Sequence, residues 1–250
     1  MIGLVARIRK PGCQADYMPV LEGPQGAKKS TACRILAGDE YFSDHLPDIQ
    51  HKDASLHLRG KWLIEVSEMS AMSKADSARL KSYITRRYEK YRPPFGRKEV
   101  DEPRQCLFIG TTNESTYLRD ETGARRFWCV KTGDIDIEAL KRDRDQLFAE
   151  AVARYERGEP WWPESEFEAE FIKPEQDARY EVDPWEDPIR QYVDDPFLIE
   201  KVTVLGIGTW VLDLRRPQMG TATTRRITGI LRRLGYKEAR INKLRFWEPK

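Results

Sequence analysis

Long apolar runs are missing from this 250-residue chain, and so are paired cysteines. Stretches such as Cys106–Gly110 fall far short of the roughly 20 residues that cross a bilayer. The first residues lack the basic, apolar and small-residue segments of a secretory leader. A cytoplasmic protein with no membrane partner is expected. The four cysteines, Cys13, Cys33, Cys106 and Cys129, form no CxxC pair. They suit buried thiols in a reducing compartment rather than a disulfide framework or a zinc site. Histidine is scarce: His45, His51 and His57 stand six apart, share no helical face, and read as loop or surface residues. No internal repeat or low-complexity tract occurs.

Hydrophobic residues make up 40% of the chain, enough for a packed core. A net charge of +2 hides an asymmetry. Residues 201–250 carry 12 Lys/Arg against 3 Asp/Glu, whereas residues 134–200 carry 8 against 21. A basic end beyond an acidic stretch suggests a polyanion-binding tail. The expected organisation is therefore a core over 1–158, an acidic connector over 159–195 and a basic module over 196–250.

Residues 18–22 (MPVLE) read as a buried strand, 23–29 as a glycine-containing turn, and 30–37 as a helix ending at Gly38. Further strands are expected at 61–66, 105–110 and 127–130. Helices are expected at 74–90, capped by Ser73, and at 138–155. Residues 92–104, with three prolines and a glycine, read as a loop or hairpin. Strands alternating with helices predict an α/β fold with a mainly parallel sheet.

The strongest motif is Gly23-Pro24-Gln25-Gly26-Ala27-Lys28-Lys29-Ser30-Thr31. It matches the Walker A pattern G-x-x-x-x-G-K-[ST] at Gly23, Lys29 and Ser30. Backbone N–H groups of Gly23 and of Gln25, Gly26, Ala27, Lys28, Lys29, Ser30 and Thr31 would cradle phosphates, Lys29 would neutralise them, and Ser30 would ligate Mg²⁺. Lys28 stands where the last glycine belongs. If that position has positive φ, a side chain there is strained. A second register, with Lys28 as the phosphate lysine, puts Gly23 one residue out.

Phosphoryl transfer also needs a carboxylate near the metal and a group that orients water. In Trp62-Leu63-Ile64-Glu65-Val66-Ser67-Glu68 an apolar strand ends in acids: Glu65 would hold Mg²⁺ and Glu68 would polarise water, or the roles are exchanged. The strand at 105–110 runs into Thr111-Thr112-Asn113, where the Asn113 amide can contact phosphate or water. Arg125 and Arg126 precede the strand at 127–130 and can present a guanidinium to a neighbouring subunit. Arg92, Arg97 and Lys98, around Phe95, form a candidate contact for single-stranded DNA.

In the tail, Ile227, Ile230, Leu231 and Leu234 make one stripe on a helix over 223–234, which Gly235 can close. Arg225, Arg226, Arg232 and Arg233 remain for the outer faces. A possible β wing at 240–247 completes a winged-helix-like reading with a DNA-docking helix.

Five blocks together, GPQGAKKST, GKWLIEVSEM, the Tyr91–Arg97 stretch, RQCLFIGTTN and DETGARRFW, resemble the virulence-associated protein E family. These are phage and prophage ATPases related to superfamily 3 helicases. The resemblance implies a RecA-like AAA+ P-loop core, ATP with Mg²⁺, a homo-oligomeric ring and a role in DNA replication. It assigns Lys29 and Ser30 to Walker A, Glu65 and Glu68 to Walker B, Asn113 to sensor 1, and Arg125 or Arg126 to the arginine finger. Only 22 residues precede Gly23, so a separately encoded primase is a candidate partner. Two readings stay open: an ATP-hydrolysing DNA translocase, and a degenerate, non-hydrolysing module supporting another replication protein. A small-molecule kinase is a third, disfavoured by Asn113 and the paired arginines.

Overall fold

The structure is a computed structural model describing residues 1–51, 53–119, 124–195, 201–241 and 244–250. It divides into two compact units, Met1–Glu181 and Val182–Lys250.

The first unit is built on seven strands: β1 (Met18–Glu22), β2 (Phe42–Ser43), β3 (Leu63–Val66), β4 (Tyr88–Tyr91), β5 (Val100–Pro103), β6 (Leu107–Thr112) and β7 (Phe127–Lys131). Five of them form one sheet in the order β2-β3-β6-β1-β7, parallel throughout. Its helices are α1 (Ile2–Arg9), α2 (Lys29–Ala37), α3 (Ala54–His57), α4 (Lys74–Ile84) and α5 (Ile137–Glu156). After them α6 (Ser165–Phe167) runs through a π turn into α7 (Lys173–Ala178).

Both faces of the sheet are covered, so its strands are apolar almost end to end. Ile64, Val66 and Phe108 pack with Leu80, Tyr83 and Ile84 of α4 on one face. Leu63 and Ile109 pack with Leu4, Cys33 and Ala37 on the other. At Gly110 in β6 a Cβ would come within 3.0 Å of Val20 and 3.2 Å of Met69. Only glycine lets β1 and the turn after β3 approach so closely.

The expected parallel α/β core is present, with shifted boundaries. The Ser73 hydroxyl accepts from the Asp76 N–H as the predicted cap, but α4 stops at Ile84. Residues 88–90 belong instead to β4, paired antiparallel with β5. Glu89 and Tyr91 are buried while Tyr88 and Lys90 are exposed, an alternation with the period of a strand.

The acidic stretch is not a connector. Its first part, with α6 and α7, belongs to the first unit: the Gln176 amide donates to Phe127 O at 2.8 Å. Its second part contains α8 (Glu186–Val193) and belongs to the second unit. Prolines and acids concealed these helices in the sequence, although Ile189 and Val193 share one buried face of α8.

The second unit continues with α9 (Val204–Gly206), prolonged by a π turn to Val211, then α10 (Thr221–Arg233), β8 (Tyr236–Ile241) and β9 (Leu244–Pro249). Its core joins Ile189 and Val193 of α8 to Val202, Ile207, Tyr236 and Trp247. The predicted stripe of α10 supplies Ile227, Ile230 and Leu231, with Leu234 half-buried against them. Gly235, at φ 85°, closes that helix. Residues 240–247, expected as a β wing, fall within the antiparallel β8–β9 pair; residues 242–243 lie outside the described residues.

Candidate active site

Ligands of open parallel sheets bind beyond the carboxyl ends of the strands. Here the ends of β1, β3 and β6 bring three separate motifs together. Register places Leu21 beside Thr111 and Glu65 beside Ile109, so the loops after these strands emerge side by side.

The β1–α2 loop carries Lys29, whose side chain is nearly buried. Its Nζ donates to Gly23 O at 2.7 Å, to Pro24 O at 3.0 Å and to Asn113 Oδ1 at 3.0 Å. Three acceptors match the three donors of an ammonium. Burial lowers the Lys29 pKa, and the nearby Glu65 opposes that shift.

Glu65 is 1% exposed on β3. Its Oε1 accepts from Ser30 Oγ at 2.6 Å and from Thr111 Oγ1 at 2.7 Å. Its Oε2 is buried with no hydrogen-bond partner among the described residues. An unpartnered buried carboxylate oxygen beside a serine hydroxyl is the hard-oxygen donor set that suits Mg²⁺. Burial, with Glu65 close by, also pushes the Cys33 thiol up to about 12, so this cysteine is inert.

These groups line a cavity of about 560 Å³ that also takes in Lys28, Glu68 and Glu114. Lys28 and Glu68 both have left-handed backbones, at φ 62° and φ 53°. For a non-glycine residue that conformation costs on the order of 1–2 kcal/mol. The positive φ on which the Walker A glycine depends is thus present at Lys28. A larger cavity of about 780 Å³ is lined by Pro19, Leu63, Leu107, Trp128 and Trp161. It is almost wholly apolar and lies along the first halves of the strands, away from the converging polar groups.

The base of the loop is held by residues the sequence reading did not single out. Glu22, the last residue of β1, accepts at Oε1 from Tyr117 OH at 2.7 Å and from Arg179 Nε. Its carbonyl accepts from Thr132 Oγ1 at 2.7 Å. Burial opposes the Arg179 charge, but its bonds to Glu22 and Glu175 outweigh that and raise its pKa. Thr111 was legible from the polar end of its strand. Arg179 had no signal, because nothing in an acidic segment marks which cation folds back onto a strand.

A model of the virulence-associated protein E-like domain matches residues 1–181. The chain belongs to this family. The matched range coincides with the first structural unit, so the family domain ends at Glu181 rather than at 158. Among solved structures, one apo structure of the NrS-1 C-terminal region is 17% identical, with a TM-score of 0.50 over 98% of this chain and 69% of that one. A second apo form is also 17% identical, with a TM-score of 0.49 and the same coverage. At this identity the likeness concerns the fold. No curated protein matches the sequence.

Within the virulence-associated protein E-like domain, Arg125 and Arg126 are not in the cavity. They form a 3-10 turn before β7, whose first residue pairs with Met18 and whose last pairs with Glu22. The turn is therefore about 13 Å along the strand from the loop end. Arg125 is exposed; Arg126 is half-buried, and its Nε has no hydrogen-bond partner among the described residues.

The β4–β5 hairpin exposes Arg92, Arg97 and Lys98, with Phe95 fully exposed at φ 63°. Arg92 Nε donates to Gly96 O at 2.6 Å, which braces the turn. Tyr91, at the loop end of β4, and Arg104, just past the end of β5, are buried.

In the second unit the four arginines of α10 divide. Arg226 pairs with Asp183 through two bonds, 2.8 and 2.7 Å, and lies 3.8 Å over the Trp185 ring. Arg233 pairs with Glu186 at 2.8 Å. Arg225 and Arg232 stay exposed. Sequence periodicity could not separate the two pairs, because the acids that engage Arg226 and Arg233 come from residues 183–186. Among the described residues, no helix is long and apolar enough to cross a membrane.

Proposed function

We propose that this chain is a Mg²⁺-dependent ATPase of the AAA+ type that moves on single-stranded DNA in phage or prophage replication. The observation that carries the reading is a double link across three strands: Lys29 to Asn113 at 3.0 Å, and Ser30 to Glu65 at 2.6 Å. Residues far apart in sequence meet at the carboxyl end of the sheet, where phosphate chemistry needs them.

Each group has a task in this reading. The N–H groups of residues 25–31 cradle phosphate oxygens at the start of α2. Lys29 exchanges its carbonyl acceptors for phosphate oxygens. Ser30 and Glu65 would hold the metal, and Mg²⁺ would supply charge neutralisation at the phosphate groups. Glu68, on the open side of the cavity, orients the attacking water and takes its proton. Asn113 keeps Lys29 aligned. Arg125 and Arg126, outside their own cavity, suit a site in the next subunit of a homo-oligomeric ring.

Phe95 with Arg92, Arg97 and Lys98 provides an aromatic and basic tip for a single strand. Arg225 and Arg232 are the cations of the winged-helix-like unit best placed for DNA phosphates. The second reading, a non-hydrolysing module, draws on one observation: Lys28 holds the left-handed position of the Walker A glycine.

Steady-state ATP turnover, with and without single-stranded DNA, tests the proposal. Glu68→Gln is expected to lower kcat by about 10²–10³-fold while leaving ATP affinity within about twofold. Turnover at the parent rate in this variant removes Glu68 from the mechanism. ATP binding without turnover in the folded parent chain selects the non-hydrolysing reading.

A further inference from the structure

We infer that the Lys28 side chain is a second cationic ligand for the terminal phosphate, making the cavity selective for nucleoside triphosphates over diphosphates; this rests on the nucleotide reading above. The loop uses glycine at one left-handed position, Gly26 at φ 82°, and lysine at the other, Lys28 at φ 62°. The lysine contributes little that the fold requires. As the first residue before α2 it makes no side-chain cap. Its side chain is exposed, and among the described residues no ion pair or hydrogen bond engages its ammonium.

Lys28 lines the same cavity as Lys29 and Glu68. Glu68 is a second strained residue bordering the same space. Strain held at two positions around one cavity, without compensating contacts at Lys28, marks a functional surface. A compact ammonium on a flexible stem can follow a phosphate oxygen, and the charge it meets grows with the third phosphate. Asn113 holds Lys29 on the β6 side of the loop, so the two adjacent lysines take different phosphate oxygens.

The test is calorimetric titration of the full chain with Mg·ATP and Mg·ADP. Lys28→Met removes the charge but keeps a side chain at the strained position. Lys28→Gly removes both, and its melting temperature, expected to be no lower than the parent's, controls for folding. Both variants are expected to bind ATP about 10-fold more weakly, with ADP changed by less than about threefold. The salt dependence of ATP binding should flatten in both.

Parent-like ATP affinity in Lys28→Met overturns the inference, as do equal losses for ATP and ADP. Tighter ATP binding by Lys28→Gly overturns it too, since the lysine then obstructs the phosphate. In all these cases, loss of binding in Lys29→Ala leaves the nucleotide reading standing. A folded parent that binds neither nucleotide ends both.

Discussion

Replacing Lys29 by alanine is expected to weaken ATP binding by about 100-fold or more, the equivalent of a charge-assisted hydrogen bond near the upper end of its range. The fold should hardly notice. Burial works against the Lys29 charge, so the ammonium is maintained at some cost to stability rather than as a strut. Of its three acceptors, Gly23 O, Pro24 O and Asn113 Oδ1, the last belongs to a residue that lines the cavity, where water can replace the donor. The measurement is paired: nucleotide titration and thermal melting on the same sample. A large fall in melting temperature with unchanged affinity would make Lys29 a structural residue. The direction of its pKa adds a pH signature. Affinity should decline on the alkaline side earlier than for a fully solvated lysine, because the charged form is the one that binds and burial brings its loss to lower pH.

Breaking the Arg104–Glu89 pair should have the largest effect on stability, about 3–5 kcal/mol for Arg104→Ala. Arg104 is 2% exposed and Glu89 4%. The guanidinium donates to Glu89, to Tyr83 O at 2.6 Å and to Ile84 O at 3.2 Å, and it lies 4.7 Å from the Tyr83 ring centroid. Glu89 also accepts from Ser55 Oγ at 2.7 Å. Alanine would leave a buried carboxylate with only the serine and two helix-terminal carbonyls without their donor. Urea unfolding measures the loss directly. The double variant Arg104→Met/Glu89→Gln should recover a good part of it, since no unpaired charge then remains buried. A loss below about 1 kcal/mol for Arg104→Ala would put the pair in the class of solvated surface bridges. The pair has a functional consequence, because it ties the base of the β4–β5 hairpin to the end of α4. The exposed tip with Phe95 therefore stands on a rigid support.

Much was legible in the sequence because it rests on local rules. The β1 strand, the loop after it and α2 follow from an apolar run, a glycine-containing turn and a helix start. The Ser73 cap, the buried stripe of α10 and the parallel α/β class follow from hydrophobic period and element order. Glu65 and Asn113 were recognisable because polar residues at the ends of apolar strands are out of pattern. These features need only the covalent chain and its nearest neighbours.

Tertiary structure decided the rest. Residues 88–91 follow the alternation of a strand because Glu89 must meet Arg104, a partner 15 residues away. The acidic stretch divides between two units because Arg179 reaches Glu22 and Arg233 reaches Glu186. The same long-range pairing leaves Arg225 and Arg232 exposed while it occupies Arg226 and Arg233. A sequence states which residues carry charge. Which of those charges meet is set by sheet register and helix packing, through contacts between residues tens to more than a hundred positions apart. The backbone angle at Lys28 joins the two levels: the motif placed a lysine where glycine belongs, and the folded loop holds that lysine in the left-handed conformation.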